Sequence, residues 1–329
     1  MNTTVSRNLT IAFFVLIAFG AASQLMFTGT KLPQWLEVVI GGIMSGVLYS
    51  LVALGLVLIF KASGVFNFAQ GAMVLFAALS LVRLMEKMSF IVALALAVAI
   101  MVVLAWLVER LVLRHLVNQE GIVLFMATLG VAYFIDGFGQ TVWGSDIYTL
   151  DVGMPKEPKI LFESTFEGGI LVSMEDVLAA LLAATLVALL ALFFQKTGTG
   201  RALRAVADDH QAAQSIGIPL NRIWVIVWSV AGLVALVAGI IWGSKLGVQF
   251  SLQLVALKAL PVVILGGFTS IPGAIIGGLI IGLGEKLSEV YLGPLLGGGI
   301  ENWFAYVLAL VFLLFRPEGL FGERNIDRV

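Results

Sequence analysis

Few side chains in this sequence of 329 residues can do covalent or metal chemistry. There is no cysteine, and the two histidines, His115 and His210, both sit in charged stretches. Disulfides, thiolate catalysis and Cys-ligated metals are excluded, and a lone loop histidine is ordinarily a solvated one. No metal site is expected. No Gly-Lys pair occurs, so no Walker A phosphate loop can form. Gly198-Thr199-Gly200-Arg201 lacks the lysine and follows an apolar run, which leaves no phosphate cradle. No nucleophile, base and orienter are set out for membrane-embedded hydrolysis, so the chain is not expected to be an enzyme. The chemistry that remains is charge inside apolar surroundings. Lys258, between Leu257 and Ala259, would cost about 2.5–3.5 kcal/mol near the centre of a membrane helix. It has to snorkel, pair with an acid or line water. Asp136 is the other charged candidate, whereas Glu285, Lys286 and Glu289 read as a solvated rim or a docking edge near the outer end of their helix.

The elements that must position these residues follow from composition. Hydrophobic residues make up 60% and charged residues 12%, about half the charged share of soluble domains. Apolar runs recur, many of 18 residues or more and so long enough to cross a hydrocarbon core of about 30 Å. A β-barrel would instead alternate over about ten residues per strand. The fold class is therefore all-α, a polytopic helical membrane protein of about nine or ten transmembrane helices, one or two of them short or broken. The runs are Leu9 to Phe27, Leu36 to Phe60, Ala72 to Leu84, Phe90 to Leu113, Gly121 to Trp143, Val177 to Phe194, Ile223 to Trp242, Leu252 to Phe268, Ile271 to Leu287 and Trp303 to Phe315. The first could be a retained helix or a cleaved signal peptide; a retained helix is the expectation. Three regions are expected: residues 1–35 as an N-terminal extension, 36–322 as the membrane domain with a cytoplasmic loop at 195–222, and 323–329 as a tail.

Sidedness rests on Lys and Arg. The proposed cytoplasmic side collects Arg7, Lys61, Arg110, Arg114, Lys196, Arg201, Arg204, Arg222, Arg316, Arg324 and Arg328. The outside receives Lys31, Lys156, Lys159, Lys245 and Lys286, with Arg83 and Lys87 pulling against the assignment. The expected N-terminus is cytoplasmic, and Gly144 to Ser173 is an acidic external loop. Close helix contacts are expected at the small-xxx-small pairs Gly42/Gly46, Gly239/Gly243, Gly273/Gly277 and Gly278/Gly282.

Two polar interruptions and one long polar segment punctuate the apolar runs. Asn67-Phe68-Ala69-Gln70-Gly71 contains a plausible N-cap at Asn67. Gly266-Gly267-Phe268-Thr269-Ser270-Ile271-Pro272-Gly273 carries a first-turn proline that starts a helix. Broken helices in transporters aim free N–H groups at anionic ligand groups, so Asn67, Gln70, Gly71, Lys258, Gly266, Gly267, Thr269, Ser270 and Gly273 are candidate pathway residues. The alternative is that the glycines only allow turns and tight packing. The long segment, Gly200 to Pro219, carries Arg201, Arg204, Asp208, Asp209 and His210, then Gln211, Ala212, Ala213 and Gly217.

Gln211-Ala212-Ala213-Gln214-Ser215-Ile216-Gly217 matches the Glu-Ala-Ala-x-x-x-Gly loop that ABC importer permeases present to their ATPases, with Gln in place of Glu. An amphipathic interfacial connector would be the plainer account of those seven residues. The flanks Gly200-Arg201-Ala202-Leu203-Arg204-Ala205, Asp208-Asp209 and Gly217-Ile218-Pro219 with Arg222 resemble the corresponding loop of branched-chain amino-acid importer permeases of the LivH type. The segment Val65 to Gly71 is similar to that family's Asn-Phe-Ala-His-Gly block. Leu265 to Ala274 follows its Gly-Gly-x-Gly-Ser-Ile-Pro-Gly-Ala pattern, and Arg316-Pro317-Glu318-Gly319-Leu320-Phe321-Gly322 resembles its C-terminal end. The resemblance covers about residues 40 to 322. Gln70 stands where the family often has His, and Phe268 where it often has Gly.

The resemblance implies a permease subunit in a bacterial inner membrane, embedded in lipid and paired with a related permease subunit. Two ATP-binding subunits would dock on Arg201, Arg204, Asp208, Asp209, Gln211, Ala212, Ala213, Gly217 and Arg222. An external substrate-binding protein would deliver branched-chain or related hydrophobic amino acids; urea, short amides and aromatic acids are alternatives. No cofactor is expected on this chain, since the ATP belongs to the partner, and nucleic acid is not an expected partner. An ion-coupled secondary transporter or channel is the competing class, with Asp136 and Lys258 as its candidate charges.

Overall fold

The computed structural model describes residues 32–116, 119–166, 168–208 and 210–322. The apolar run Leu9 to Phe27 lies outside the described residues, as do Arg7, Lys31 and the expected tail at 323–329. In chain order the helices are α1 (Leu32–Ser63), α2 (Gln70–Met85), α3 (Phe90–Leu111), α4 (Gly121–Trp143), α5 (Met174–Lys196), α6 (Gly198–Asp208), α7 (His210–Ser215), α8 (Leu220–Leu246), α9 (Val255–Lys258), α10 (Leu260–Gly266), α11 (Ile271–Leu296) and α12 (Phe304–Phe315). Short 3₁₀ turns precede α9 and α12 and follow α3. Among the described residues six helices are long and apolar enough to cross a membrane, namely α1, α3, α4, α5, α8 and α11. Three shorter apolar helices, Gln70–Met85, Phe250–Gly266 and Phe304–Phe315, accompany them. The chain is a polytopic helical membrane protein. Its small sheet is a hairpin, β1 (Pro158–Leu161) antiparallel to β2 (Ile170–Ser173), inside the segment expected as an acidic loop.

The chain divides into two compact units. Of the described residues, the first takes those from Leu32 to Ser50, between Met154 and Ala184, and from Lys258 to Gly322. In it α11 packs on α10 and α12. The approach of α1 to α11 depends on the expected glycines. A Cβ at Gly46 would lie 2.7 Å from the Gly278 carbonyl oxygen, and one at Gly282 would run into the backbone of Gly46. Ser50 seals this crossing, its hydroxyl donating to the Gly46 oxygen at 2.7 Å and the Ile275 oxygen at 3.0 Å. The hairpin is tied in by the Leu171 N–H, which donates to the Glu37 carboxylate at 2.6 Å.

The second unit takes Leu51–Gly153 and Thr185–Leu257. Its centre is α2, buried continuously from Gln70 to Val82 and packed by α3, α4, α8 and the 3₁₀ turn at Phe250–Leu254. A helix apolar nearly all round belongs in a core, and the 16 residues of α2 fit that position. Gly239 sits with its would-be Cβ 2.8 Å from the Val74 oxygen, so α8 meets α2 backbone to backbone.

The outer helices show the reverse of soluble amphipathy. On α3 the buried residues are Ala93, Ala97, Met101, Ala105, Val108 and, at the helix end, Glu109, and on α4 they are Leu124, Thr128, Val131, Ile135 and Gly139. Buried residues recur every three to four positions, mostly alanines on α3, while Ile91, Val103, Tyr133, Phe134, Leu181 and Leu189 stand exposed. A membrane makes that arrangement inexpensive. Arg83, which weakened the sidedness pattern, is locally neutralised by Glu86 at 2.7 Å and lies 5.2 Å from the centre of the Tyr148 ring.

Candidate functional site: a polar knob and a mid-span charge pair

The long polar segment folds as a knob of two helices. After Thr197 the chain turns so tightly that a Cβ at Gly200 would strike the Phe194 backbone. Thr197 Oγ1 accepts from the Gly200 N–H at 3.1 Å and so caps the first turn of α6. Arg204 donates to the Phe194 oxygen at 2.6 Å, a charge-assisted bond to one of the carbonyls that the end of α5 leaves unpaired. Arg204 therefore has a structural task beside any docking role, whereas Arg201 and Arg222 are exposed. Asp209, and the side chains of Asp208 and Gln211, lie outside the described residues.

Gly217 ends α7 at φ +88° with nothing within 4 Å of a would-be Cβ. The Ile218 N–H reaches back to the Ala213 oxygen at 3.0 Å and the Gly217 N–H to the Gln214 oxygen at 3.0 Å, a glycine-dependent helix stop. The two alanines differ: Ala212 is exposed, while Ala213 is buried against its own chain at 2%. Neighbouring residues on a helix point about 100° apart, so the pair is not one common face. The apolar group presented instead is Ile216, 74% exposed, beside a shallow depression of about 320 Å³ lined by Gln214, Gly217, Ile218, Pro219, Leu220 and Asn221. Sequence reasoning passed over Ile216 because an isolated surface isoleucine is unremarkable until its exposure is known.

The first interruption is closed. Asn67 is not the N-cap of α2, which is Ala69. Its Oδ1 accepts from the Ala69 N–H at 3.0 Å, a turn made two residues early, and its Nδ2 donates to the Gln70 Oε1 at 3.1 Å. Gln70 in turn donates to the Ala231 oxygen at 3.3 Å. Both side chains are buried and satisfied. A Cβ at Gly71 would collide with the Gln253 oxygen, so that glycine permits close packing.

The second interruption is a backbone junction. Gly266 and Gly273 touch backbone to backbone, and Gly267 adopts φ +102°. Thr269 lies half-buried in the turn. The Ser270 hydroxyl caps α11 by accepting from the Gly273 N–H at 3.0 Å, with Pro272 in the first turn. The C-terminal segment completes the junction, the Leu320 N–H donating to the Leu265 oxygen at 2.8 Å and the Phe321 N–H to the Gly266 oxygen at 3.1 Å. Two blocks of the sequence resemblance, 265–274 and 316–322, are thus one structural unit.

Lys258 closes α9 just before the break at Ala259, and its Nζ lies 2.8 Å from Glu285 Oε1. The lysine side chain is 36% exposed and that of Glu285 only 3%. Tyr49 of α1 shares a hydrogen bond with Glu285, and its ring centre lies 5.9 Å from the Lys258 Nζ. Glu285 is therefore no rim residue. The helix continues through Pro294 to Leu296, so Glu285 falls in its interior. Lys286 and Glu289 do make rim contacts: Lys286 with Glu301 at 3.5 Å, Glu289 with the N–H groups of Gly299 and Glu301. Lys258 and Gly266 are eight residues apart along the broken helix, about 12 Å, and Asn67, Gln70 and Gly71 belong to the other unit. Asp136, the other candidate charge, accepts from Gln140 at 3.5 Å on α4. Among the described residues no cluster of acids and histidines could hold a metal.

Comparison with known proteins is consistent across the length of the chain. Residues 38–316 match the family model described as branched-chain amino acid transport system / permease component. The high-affinity branched-chain amino acid transport system permease protein LivH of Escherichia coli K12 is 28% identical, over 90% of this chain and 98% of its own. BraD of Pseudomonas aeruginosa, described by the same words, is 26% identical over 91% of this chain and 99% of its own. The probable branched-chain amino acid transport permease protein LivH of Methanocaldococcus jannaschii is 29% identical over 86% and 91%.

Proposed function

Because the chain belongs to the family of branched-chain amino acid transport system permease components, we propose that it is the transmembrane permease subunit of an ATP-driven ABC importer for branched-chain or related hydrophobic amino acids. It pairs with a related permease and takes its power stroke from two ATP-binding subunits. They grip residues 200–222, and an external binding protein delivers the substrate. The membrane is a bacterial inner membrane with the N-terminus in the cytoplasm. The observation that carries this reading is the knob itself: two short helices between membrane helices, the second stopped by a glycine at positive φ, with Arg201, Ala212, Ile216 and the nearby Arg222 exposed. Arg204 and Gly200 brace the knob on α5, so a push on α7 would be carried into the bundle. Urea, short amides and aromatic acids remain alternative cargo for the same machinery.

An ion-coupled transporter has one observation in its favour, the buried carboxylate of Glu285 inside a membrane helix. Its neutralisation by Lys258 leaves no charge for an ion to balance. Co-purification from detergent with the co-expressed ATPase, followed by leucine uptake into vesicles with and without ATP, separates the two. Uptake driven by an ion gradient in the absence of any ATPase would refute the subunit reading.

A further inference from the structure

The Lys258–Glu285 pair sits at mid-span. Glu285 comes 14 residues after Ile271 and 11 before Leu296 in α11, and Tyr49 comes 17 after Leu32 and 14 before Ser63 in α1. At 1.5 Å per residue each is roughly 17–26 Å from either end of its helix. Lys258 arrives there on a broken helix, α9 stopping at Lys258 and α10 beginning at Leu260 with Pro261 in its first turn. Discontinuous helices meeting near the membrane midplane are where transporters place their substrate contacts.

We propose that this pair, held by Tyr49, meets the two charges of a zwitterionic amino acid in transit, Lys258 taking the carboxylate and Glu285 the ammonium. The inference rests on the reading of the chain as an amino-acid permease. A free amino acid is neutral overall but carries two desolvation costs. A neutral ion pair answers both: when the zwitterion inserts, one contact is exchanged for two, and no net charge enters the membrane. The empty site stays satisfied, which suits a contact that must release its cargo.

The exposures give an order to the exchange. The ammonium of Lys258, on a flexible stem and one-third exposed, is open to an incoming carboxylate, while Glu285 is uncovered only as the lysine swings away. Tyr49 keeps Glu285 hydrogen-bonded during that exchange. The neighbouring charges are engaged with their own partners, Lys286 with Glu301 and Glu289 with the backbone at Gly299 and Glu301. Tyr306 lies within electrostatic reach of both members of the pair.

A pair that only pins helices behaves differently from one that handles cargo, because replacing both charges of a buried structural pair is commonly neutral or stabilising. The test uses the whole transporter in proteoliposomes, with its binding protein outside, ATP inside and radiolabelled leucine as the probe. The double variant Lys258→Met/Glu285→Gln keeps a hydrogen-bond partner for Tyr49. Its leucine uptake is expected to fall about tenfold or more relative to wild type, a factor worth about 1.4 kcal/mol, with assembly and ATP hydrolysis unchanged. Wild-type uptake in that variant overturns the proposal. Should the double variant not assemble, the exchanged pair Lys258→Glu/Glu285→Lys retains an ion pair for packing but reverses its polarity against the cargo. Restored assembly with low uptake supports the proposal, and restored uptake refutes it. If the wild-type complex itself shows no ATP-dependent leucine uptake, the amino-acid permease reading fails first, a result distinct from a defect confined to the variants.

Discussion

Alanine at Gly282 should loosen the crossing of α1 and α11, and the size of the effect can be worked from the backbone. A Cβ there would run into the Gly46 backbone and lie 2.7 Å from the Gly42 oxygen, where ordinary contact begins at 3.4 Å. The helices must separate by roughly 0.7 Å or more, and a gap of 0.5–1 Å forfeits a quarter to a half of each dispersion contact along the seam. The bond from Ser50 to the Ile275 oxygen, 3.0 Å long, stretches with it. Overpacking of this kind typically costs 1–3 kcal/mol, and at roughly 2–4 °C per kcal/mol the melting temperature should drop by roughly 2–12 °C. Gly41→Ala supplies the control, because nothing lies within 4 Å of its would-be Cβ and alanine favours a helix by up to about 1 kcal/mol over glycine. Tryptophan-monitored unfolding of the detergent-solubilised protein reads both. A Gly282→Ala protein that melts with wild type, or a Gly41→Ala protein as damaged as Gly282→Ala, would refute the seam as the reason for these glycines.

Other positions give sharper separations of stability from coupling. Gly217→Val places a β-branched residue at φ +88°, a strain of about 1–2 kcal/mol confined to an exposed turn; the bundle should melt nearly as wild type while ATP hydrolysis uncouples from uptake, and normal uptake would count against the knob. Arg204→Ala removes the bond to the Phe194 oxygen and should destabilise by about 1–2 kcal/mol, the low side of the range for charged hydrogen bonds because the guanidinium is half-buried. Arg201→Ala should leave unfolding within about 0.5 kcal/mol of wild type but weaken ATPase binding in a pull-down. Ser270→Ala deletes the α11 cap and should cost about 1 kcal/mol, read by the same unfolding assay.

The helical membrane class was plain in the apolar runs, and α4 begins and ends at the residues expected, Gly121 and Trp143. Helix ends were less legible where apolar character and hydrogen bonding part company. The run after Ile271 loses hydropathy at Leu287, yet the backbone ladder continues to Leu296, and that difference turned Glu285 from an apparent rim charge into a mid-span partner of Lys258. Alternation of exposure within α7 was equally hidden: Ala212 and Ala213 look alike in sequence and face opposite environments. The hairpin at Pro158–Ser173 escaped notice because its strands are four residues each and mostly exposed. The glycine pairs announced close approach, but which backbones they admit is a long-range fact. Gly46 meets Gly278, Gly71 meets Gln253, and Gly267 meets Gly322.

The most direct test of the account is leucine uptake by the purified permease in liposomes, alone and then assembled with its partner permease, binding protein and ATPases. The account predicts no uptake by the isolated chain, and ATP-dependent uptake by the assembly that Gly217→Val abolishes while ATP is still hydrolysed. Steady uptake by the isolated chain, indifferent to ATP and to that substitution, would contradict it.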